Sequence, residues 1–526
     1  MVKYDIQDVT LSRIAGLFEQ RRKDRRDITL AIDPALGEFC GKIEENTICA
    51  GSYAQLLDTA GRFLRNPEIR KQTFLSHKKV AGVYFCTHFQ NYLDAAPLEE
   101  VFRYIEDLAF WGMNHLKVWF DMHHFKDMEE GRTKAIRLLK ILEYAHAIGL
   151  KTCLCILANE AFDQSPQQLR ADWTSGHDGY IHELNDHYHV EICPSRPGGM
   201  ELILEYRRKM LEVFAQARPD YIEIGAYDEG GCSCRDCAPW GCNGFLRTCE
   251  KLIPVIREYM PDVKINISMW QFGTFTGTDV EFEGVEKALK EGRLSECVYL
   301  VAEPQYAKYP FEHDMHRPLI HFPEISMYGA VPWGGYGANP LPGLMEKLWR
   351  ENEDKLEGGF PYCEGIYPDI NEVIMLRLYR DNQSAEDTIR EYLIYEFGLR
   401  GETLEKVLSA IMDMEETLER TFEFTGVCNE STDRSAQGAG AHRYIIAHPR
   451  KVFAIEKAIA DADKGLSEEV RKSIRWQLIY LRAMIDAELV RNHYERNEKV
   501  LEYFKQIVTI CHLEHSGMYT KPDIEA

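Results

Sequence analysis

The sequence predicts a (β/α)8 barrel carrying a small N-terminal α/β domain and a C-terminal α-helical domain, and three observations lead there. From Ala81 onward, short apolar runs rich in β-formers alternate with amphipathic helical stretches, and the cycle can be counted to eight. The strand-like runs are apolar almost continuously, as expected of a parallel sheet covered on both faces, and eight such units are the number that closes a barrel. An open doubly wound sheet is the rival, but no glycine-rich G-x-G-x-x-G fingerprint follows the early strands.

Residues 1–78 are expected to form the small domain, with strand-like runs at 28–32 and 47–50 and a helix over 52–64 that has Ser52 as N-cap. The barrel is expected over 79–382. Its strands are read at 83–86, 116–120, 152–157, 221–226, 264–269, 298–301, 319–322 and 359–362. Helices are expected at 98–111, 133–148, 200–217, 244–259 and 369–379. Residues 383–526 change character, with long helical periodicity and high charge at 386–397, 404–422, 452–460 and 468–507. A Gly-, Ser- and Thr-rich break at 425–440 reads as a long loop.

The chain has 526 residues, and its 62 basic against 84 acidic side chains give a formal charge of −22, which repels phosphate backbones and anionic membranes. Nucleic acid is therefore not an expected partner. No apolar h-region opens the sequence, and no stretch approaches the roughly 18 apolar residues of a spanning helix, so the expected location is cytoplasmic. The 15 cysteines, several inside strand-like runs, read as buried thiols of a reducing compartment.

In a barrel the chemistry sits at the C-terminal strand ends, and here those ends are acidic and aromatic. They carry His88 after strand one; Trp119, Asp121 and His123 after two; Asn159 and Glu160 after three; and Asp228 with Glu229 after four. Trp270 and Gln271 follow strand five, Glu303 six, Glu324, Tyr328 and Trp333 seven, and Glu364 with Tyr367 eight. Aromatic faces stack on pyranose C–H groups and carboxylates accept hydroxyl hydrogen bonds, so this set points to a sugar. Glycosidic cleavage needs a proton donor and a second group that attacks or activates water. Glu229 is the expected donor, because crowding beside Asp228 disfavours double ionisation and keeps one proton in the pair. Asp228 would orient the substrate, and Glu303 or Glu324 would serve as base. His88, Trp119, Asp121, Asn159, Trp270, Tyr328, Trp333 and Glu364 are the candidate sugar-binding residues. The bland alternative for each acid is a helix cap or a solvated loop group.

Cys232, Cys234, Cys237 and Cys242 form a C-x-C-x2-C-x4-C run. Four thiolates so close are able to enclose a structural zinc; free thiols, a redox or disulfide site, and three cysteines with Glu229 on a catalytic metal are the alternatives.

The Asp228-Glu229 pair after strand four, and Tyr362-Cys363-Glu364 where the family has Trp-x-Glu, resemble family 20 β-N-acetylhexosaminidases. That resemblance implies that Asp228 polarises a substrate acetamido group and Glu229 is the acid. Ala226-Tyr-Asp-Glu-Gly230 is similar to the Ala-Asn-Ser-Glu-Gly motif of family 67 α-glucuronidases, which also append a helical C-terminal domain. That likeness implies a base on a later strand. The expected function is an exo-acting glycoside hydrolase that acts on small glycosides, with a homo-oligomer formed through the C-terminal helices as an option. The alternatives are a non-catalytic carbohydrate-binding barrel and a metal-dependent sugar-acid lyase or isomerase.

Overall fold

A computed structural model describes residues 1–89, 91–172, 190–226, 230–304, 307–326, 339–363, 365–417, 448–493, 495 and 497–515. Eight parallel strands form the barrel: Val80–Phe85, His115–Trp119, Lys151–Leu157, Tyr221–Gly225, Lys264–Ser268, Cys297–Ala302, Leu319–His321 and Leu356–Gly359. The first strand is hydrogen-bonded to both the second and the eighth, which closes the sheet. Strand eight lies earlier than the expected 359–362, and proline explains the difference. Strands seven and eight each stop before a proline, Pro323 and Pro361, which has no N–H for the ladder. Both resume just beyond it, as Glu324–Ser326 and Tyr362–Cys363, which pair with each other in parallel.

The chain makes two compact units: His115–Phe322 with Asn352–Phe360, and Met1–Asn114 with Pro323–Glu351 and Pro361–Ala526. In the first, the helices Arg132–Ala147, Gly199–Phe214, Gly244–Tyr259 and Val280–Lys290 follow their strands. Side chains of alternate residues point inward, as the two-residue period of a strand requires. On strand two these are His115, Lys117 and Trp119. The His115 ring packs 5.5 Å from that of Tyr221, and the Lys117 ammonium lies 3.0 and 3.2 Å from the two carboxylate oxygens of Glu223 on strand four. The same ammonium sits 4.7 Å from the ring centre of Phe322 and 4.9 Å from that of Phe360. Side chains thus fill this part of the barrel interior, the Lys117–Glu223 ion pair among them.

The second unit holds a five-stranded mixed sheet in the order Val2–Lys3, Ile28–Ile32, Thr47–Ala50, Cys40–Glu44 and Lys71–Leu75. Ser52 caps the helix Tyr53–Arg65 by accepting from the Gln55 N–H, as expected. Gly61 of this helix lies against Leu98–Phe110 so closely that a Cβ would come within 1.9 Å of the Phe110 carbonyl oxygen. Asp58 on the same helix is buried among Arg62, Arg377 and Arg380, and the three guanidinium groups hold its carboxyl well below the usual range despite burial. Among the described residues, six C-terminal helices follow Asp369–Asp381: Ala385–Phe397, Gly401–Glu416, Pro449–Asp463, Glu468–Lys472, Ile474–Arg491 and Glu498–Ile510. The stretch read as one helical run over 468–507 is therefore three helices, with Ser473 and Asn497 capping the second and third. The expected loop at 425–440 lies outside the described residues. Among the described residues, no helix is long and apolar enough to cross a membrane.

Glu372 on the helix Asp369–Asp381 is fully buried and accepts from the Tyr104 hydroxyl. Burial pushes its carboxyl up to about 8, with Asp369 adding to the rise. An acid whose folded pKa is raised gives stability that is complete below its unfolded value and is lost as pH climbs through the folded one. The Tm of the protein is thus expected to fall between about pH 4.5 and 8, and Glu372→Gln to flatten that fall. Thermal unfolding against pH checks this; an unchanged slope in the variant contradicts it.

Candidate active site

Within the unit His115–Phe322, the C-terminal ends of strands two and three share one polar cluster. The Trp119 indole N–H donates to Glu160 Oε2 at 3.2 Å, while the His123 backbone N–H at 3.3 Å and its Nδ1 at 2.7 Å contact Glu160 Oε1. Next to it, His124 Nδ1 pairs with buried Asp121, and the His123 and His124 rings lie 4.2 Å apart. Asp121 holds the His124 imidazolium and raises its pKa against the opposing effect of burial. Arg207, fully buried on the helix Gly199–Phe214, donates to the carbonyl oxygens of Leu157 and Glu160 and so fixes the end of strand three. Burial draws its guanidinium down to about 10, with the Glu160 charge opposing the fall.

Asn159 spends its amide hydrogens on backbone. It donates to the Ile192 carbonyl at 3.1 Å and the Gly231 carbonyl at 3.3 Å, which ties the segment after strand three to the segment after strand four. Its local role is therefore to position those two segments. Gly231 has φ +69°, and a Cβ there would enter the buried Trp240 ring at 1.9 Å. The Gly-Gly pair thus lets the chain turn back against an indole.

After strand five, the half-buried Trp270 indole packs edge-on against Phe322, with ring centres 5.4 Å apart. After strand six, Glu303 is buried with Oε2 3.3 Å from Nε2 of His321, the last residue of strand seven. His321 was not anticipated from sequence, although a polar residue in the run Leu319-Ile320-His321-Phe322 was the available signal.

In the other unit, the His88 ring stacks on Tyr362 with centres 6.3 Å apart, and His88 Nε2 lies 3.4 Å from the Tyr362 hydroxyl. Tyr84 completes this aromatic group, 5.4 Å from Tyr362. Glu324 is buried at the start of the resumed strand seven. Tyr367 packs between Tyr92 and Tyr104, each 5.0 Å away, and burial drives its hydroxyl pKa well upward, so it acts as core. Asp228, Glu229, Tyr328, Trp333 and Glu364 lie outside the described residues.

The cysteine assignment needs one correction. Cys232, Cys234 and Cys237 come together, but the fourth sulfur beside them is Cys193 and not Cys242. Cys242 instead directs its Sγ to the Pro239 carbonyl, 3.5 Å away, because the turn 237–240 has already carried the chain past the cluster.

This architecture recurs in glycoside hydrolases. A family 89 enzyme from Clostridium perfringens, solved with its substrate GlcNAc-α-1,4-galactose, superposes with a TM-score of 0.61 at 13% identity over 96% of this chain and 64% of its own. The chain thus spans a little under two thirds of that protein. A family 138 enzyme targeting pectin rhamnogalacturonan II gives 0.57 at 10% identity, covering 98% of this chain and 74% of its own. A family 20 exo-β-N-acetylglucosaminidase from Vibrio harveyi gives 0.48 at 14% identity, covering 79% and 74%. No family model and no curated protein matches the chain. The likeness is one of fold.

Proposed function

We propose that the chain is an exo-acting glycoside hydrolase that removes a terminal sugar, N-acetylhexosaminide-like or uronide-like, from small glycosides. The observation that carries this reading is the set of buried carboxylates, Asp121, Glu160 and Glu303, with the Trp119 and Trp270 indoles, on C-terminal strand ends of a closed parallel barrel. That end of the fold is where barrel enzymes bind and react their substrates.

Glu229 would protonate the leaving oxygen, and Asp228 would orient the reacting sugar. Glu303 is the favoured second carboxylate, because it is buried at the end of strand six with His321 Nε2 3.3 Å away; Glu324 is the alternative. His88, Asp121, Asn159, Trp119, Trp270, Tyr328, Trp333 and Glu364 remain the candidates for holding the sugar. The Trp270 face suits stacking, and Asn159 would act through the segments it ties.

The family 89 structure holds a GlcNAc-terminated disaccharide, so aryl N-acetylglucosaminides head the screen that tests this reading, followed by aryl glucuronides. Saturable release of the aryl alcohol from at least one is expected. Absence of release from every member, with sugar binding detected by calorimetry, would replace it with a non-catalytic carbohydrate-binding barrel.

A further inference from the structure

We infer that Cys193, Cys232, Cys234 and Cys237 bind one structural zinc ion. Their four Sγ atoms all lie within 4.8 Å of one another. Cys193 Sγ is 3.7 Å from Cys234 Sγ and 3.8 Å from Cys237 Sγ. A tetrahedral zinc with Zn–S bonds of about 2.3 Å separates its sulfurs by about 3.8 Å, the edge of that tetrahedron. A disulfide would require about 2.05 Å, and the four cysteines are free.

The surroundings suit thiolates. The Asp172 N–H donates to Cys232 Sγ at 3.3 Å, and Ser195 Oγ and Arg247 Nη2 approach Cys237 Sγ at 3.1 and 3.6 Å. A neutral thiol is a weak acceptor, whereas metal-bound thiolates are regularly braced by such donors. Arg247 also supplies a positive charge beside a centre that would carry four thiolates and one divalent ion. Cys193, Cys232 and Cys237 are buried and Cys234 is half-buried, so water would not compete for the ion. A tight turn, in which the N–H groups of Cys237 and Ala238 both donate to the Cys234 carbonyl at 2.9 Å, presents the last two sulfurs on one side.

The ligands come from two segments. Cys193 precedes the helix Gly199–Phe214, and the other three follow strand Tyr221–Gly225. The ion would therefore cross-link the segments after strands three and four, the same two that Asn159 joins by hydrogen bonds. Four thiolates complete the tetrahedron and leave no open position, so the metal braces the fold and takes no part in the chemistry. The inference does not rest on the sugar reading.

Elemental analysis of the full chain, purified without added metal, is expected to give about one zinc per chain, falling at least about tenfold in Cys193→Ser and staying near one in Cys242→Ser. If Cys193→Ser does not fold, the wild-type chain reconstituted with cobalt(II) should show the visible bands of a tetrahedral tetrathiolate site. Zinc retained by Cys193→Ser but lost by Cys242→Ser would overturn the assignment. So would a wild-type chain that binds neither zinc nor cobalt, or a native disulfide among the four found by mass spectrometry.

Discussion

Replacing Glu229 by Gln is expected to lower turnover on an unactivated glycoside by about 10²-fold or more while leaving the fold intact. An alkoxide leaves a sugar poorly unless it is protonated in the transition state, and a Gln amide has no proton to give. The loss should shrink on aryl glycosides carrying strongly electron-withdrawing substituents, since a phenolate of that kind leaves without help. The alkaline limb of the pH–rate profile, which reports deprotonation of the acid, should vanish in the variant. Comparison of kcat/KM on an alkyl and an activated aryl glycoside measures both effects. Full activity of Glu229→Gln on the alkyl glycoside would remove Glu229 from the role.

The largest expected effect on stability comes from Lys117. Its ammonium is fully buried inside the barrel; burial opposes the charge, but Glu223, with Cys155 and Cys153 adding, outweighs it and the pKa is raised. Lys117→Met would leave the Glu223 carboxylate without its partner in a site walled by Phe322 and Phe360. Breaking one side of such a pair costs about 3–5 kcal/mol, whereas replacing both sides with groups of similar volume is often close to neutral. The double variant Lys117→Met, Glu223→Gln is therefore expected to recover most of what the single variant loses. Denaturant unfolding of the three proteins tests this, and a single variant as stable as the wild type would contradict it. The raised Lys117 pKa also has a sign: its contribution is complete below the unfolded lysine value and is lost only as pH rises through the folded one.

Much of the barrel was legible because its strands are buried on both faces and read as apolar runs, as in Leu154-Cys155-Ile156-Leu157 or Leu300-Val301-Ala302. Strand ends are less legible where ladder chemistry rather than hydrophobicity decides them. Pro323 and Pro361 split strands seven and eight, and a hydropathy pattern does not register a missing N–H. Lys117 and Glu223 fall inside the expected strands 116–120 and 221–226, but their pairing follows only once the closed barrel lets the two side chains meet across its interior.

The strand-end residues were found by position, and the structure then separates their roles. Glu303 gains a histidine partner, Asn159 and Glu160 are engaged by the chain itself, and Tyr367 is core. Cys193 was out of reach of any spacing argument. A helix and a strand separate it from Cys232, and only the fold brings the sulfurs together.

The most direct test of the account is to incubate the purified chain with unactivated disaccharides ending in N-acetylglucosamine or a uronic acid and to follow the anomeric protons by NMR. The account predicts that one of them yields a free terminal sugar and a new reducing end, and that Glu229→Gln slows this by about 10²-fold or more. Disaccharides that stay intact at high protein concentration while their resonances broaden on binding would contradict it.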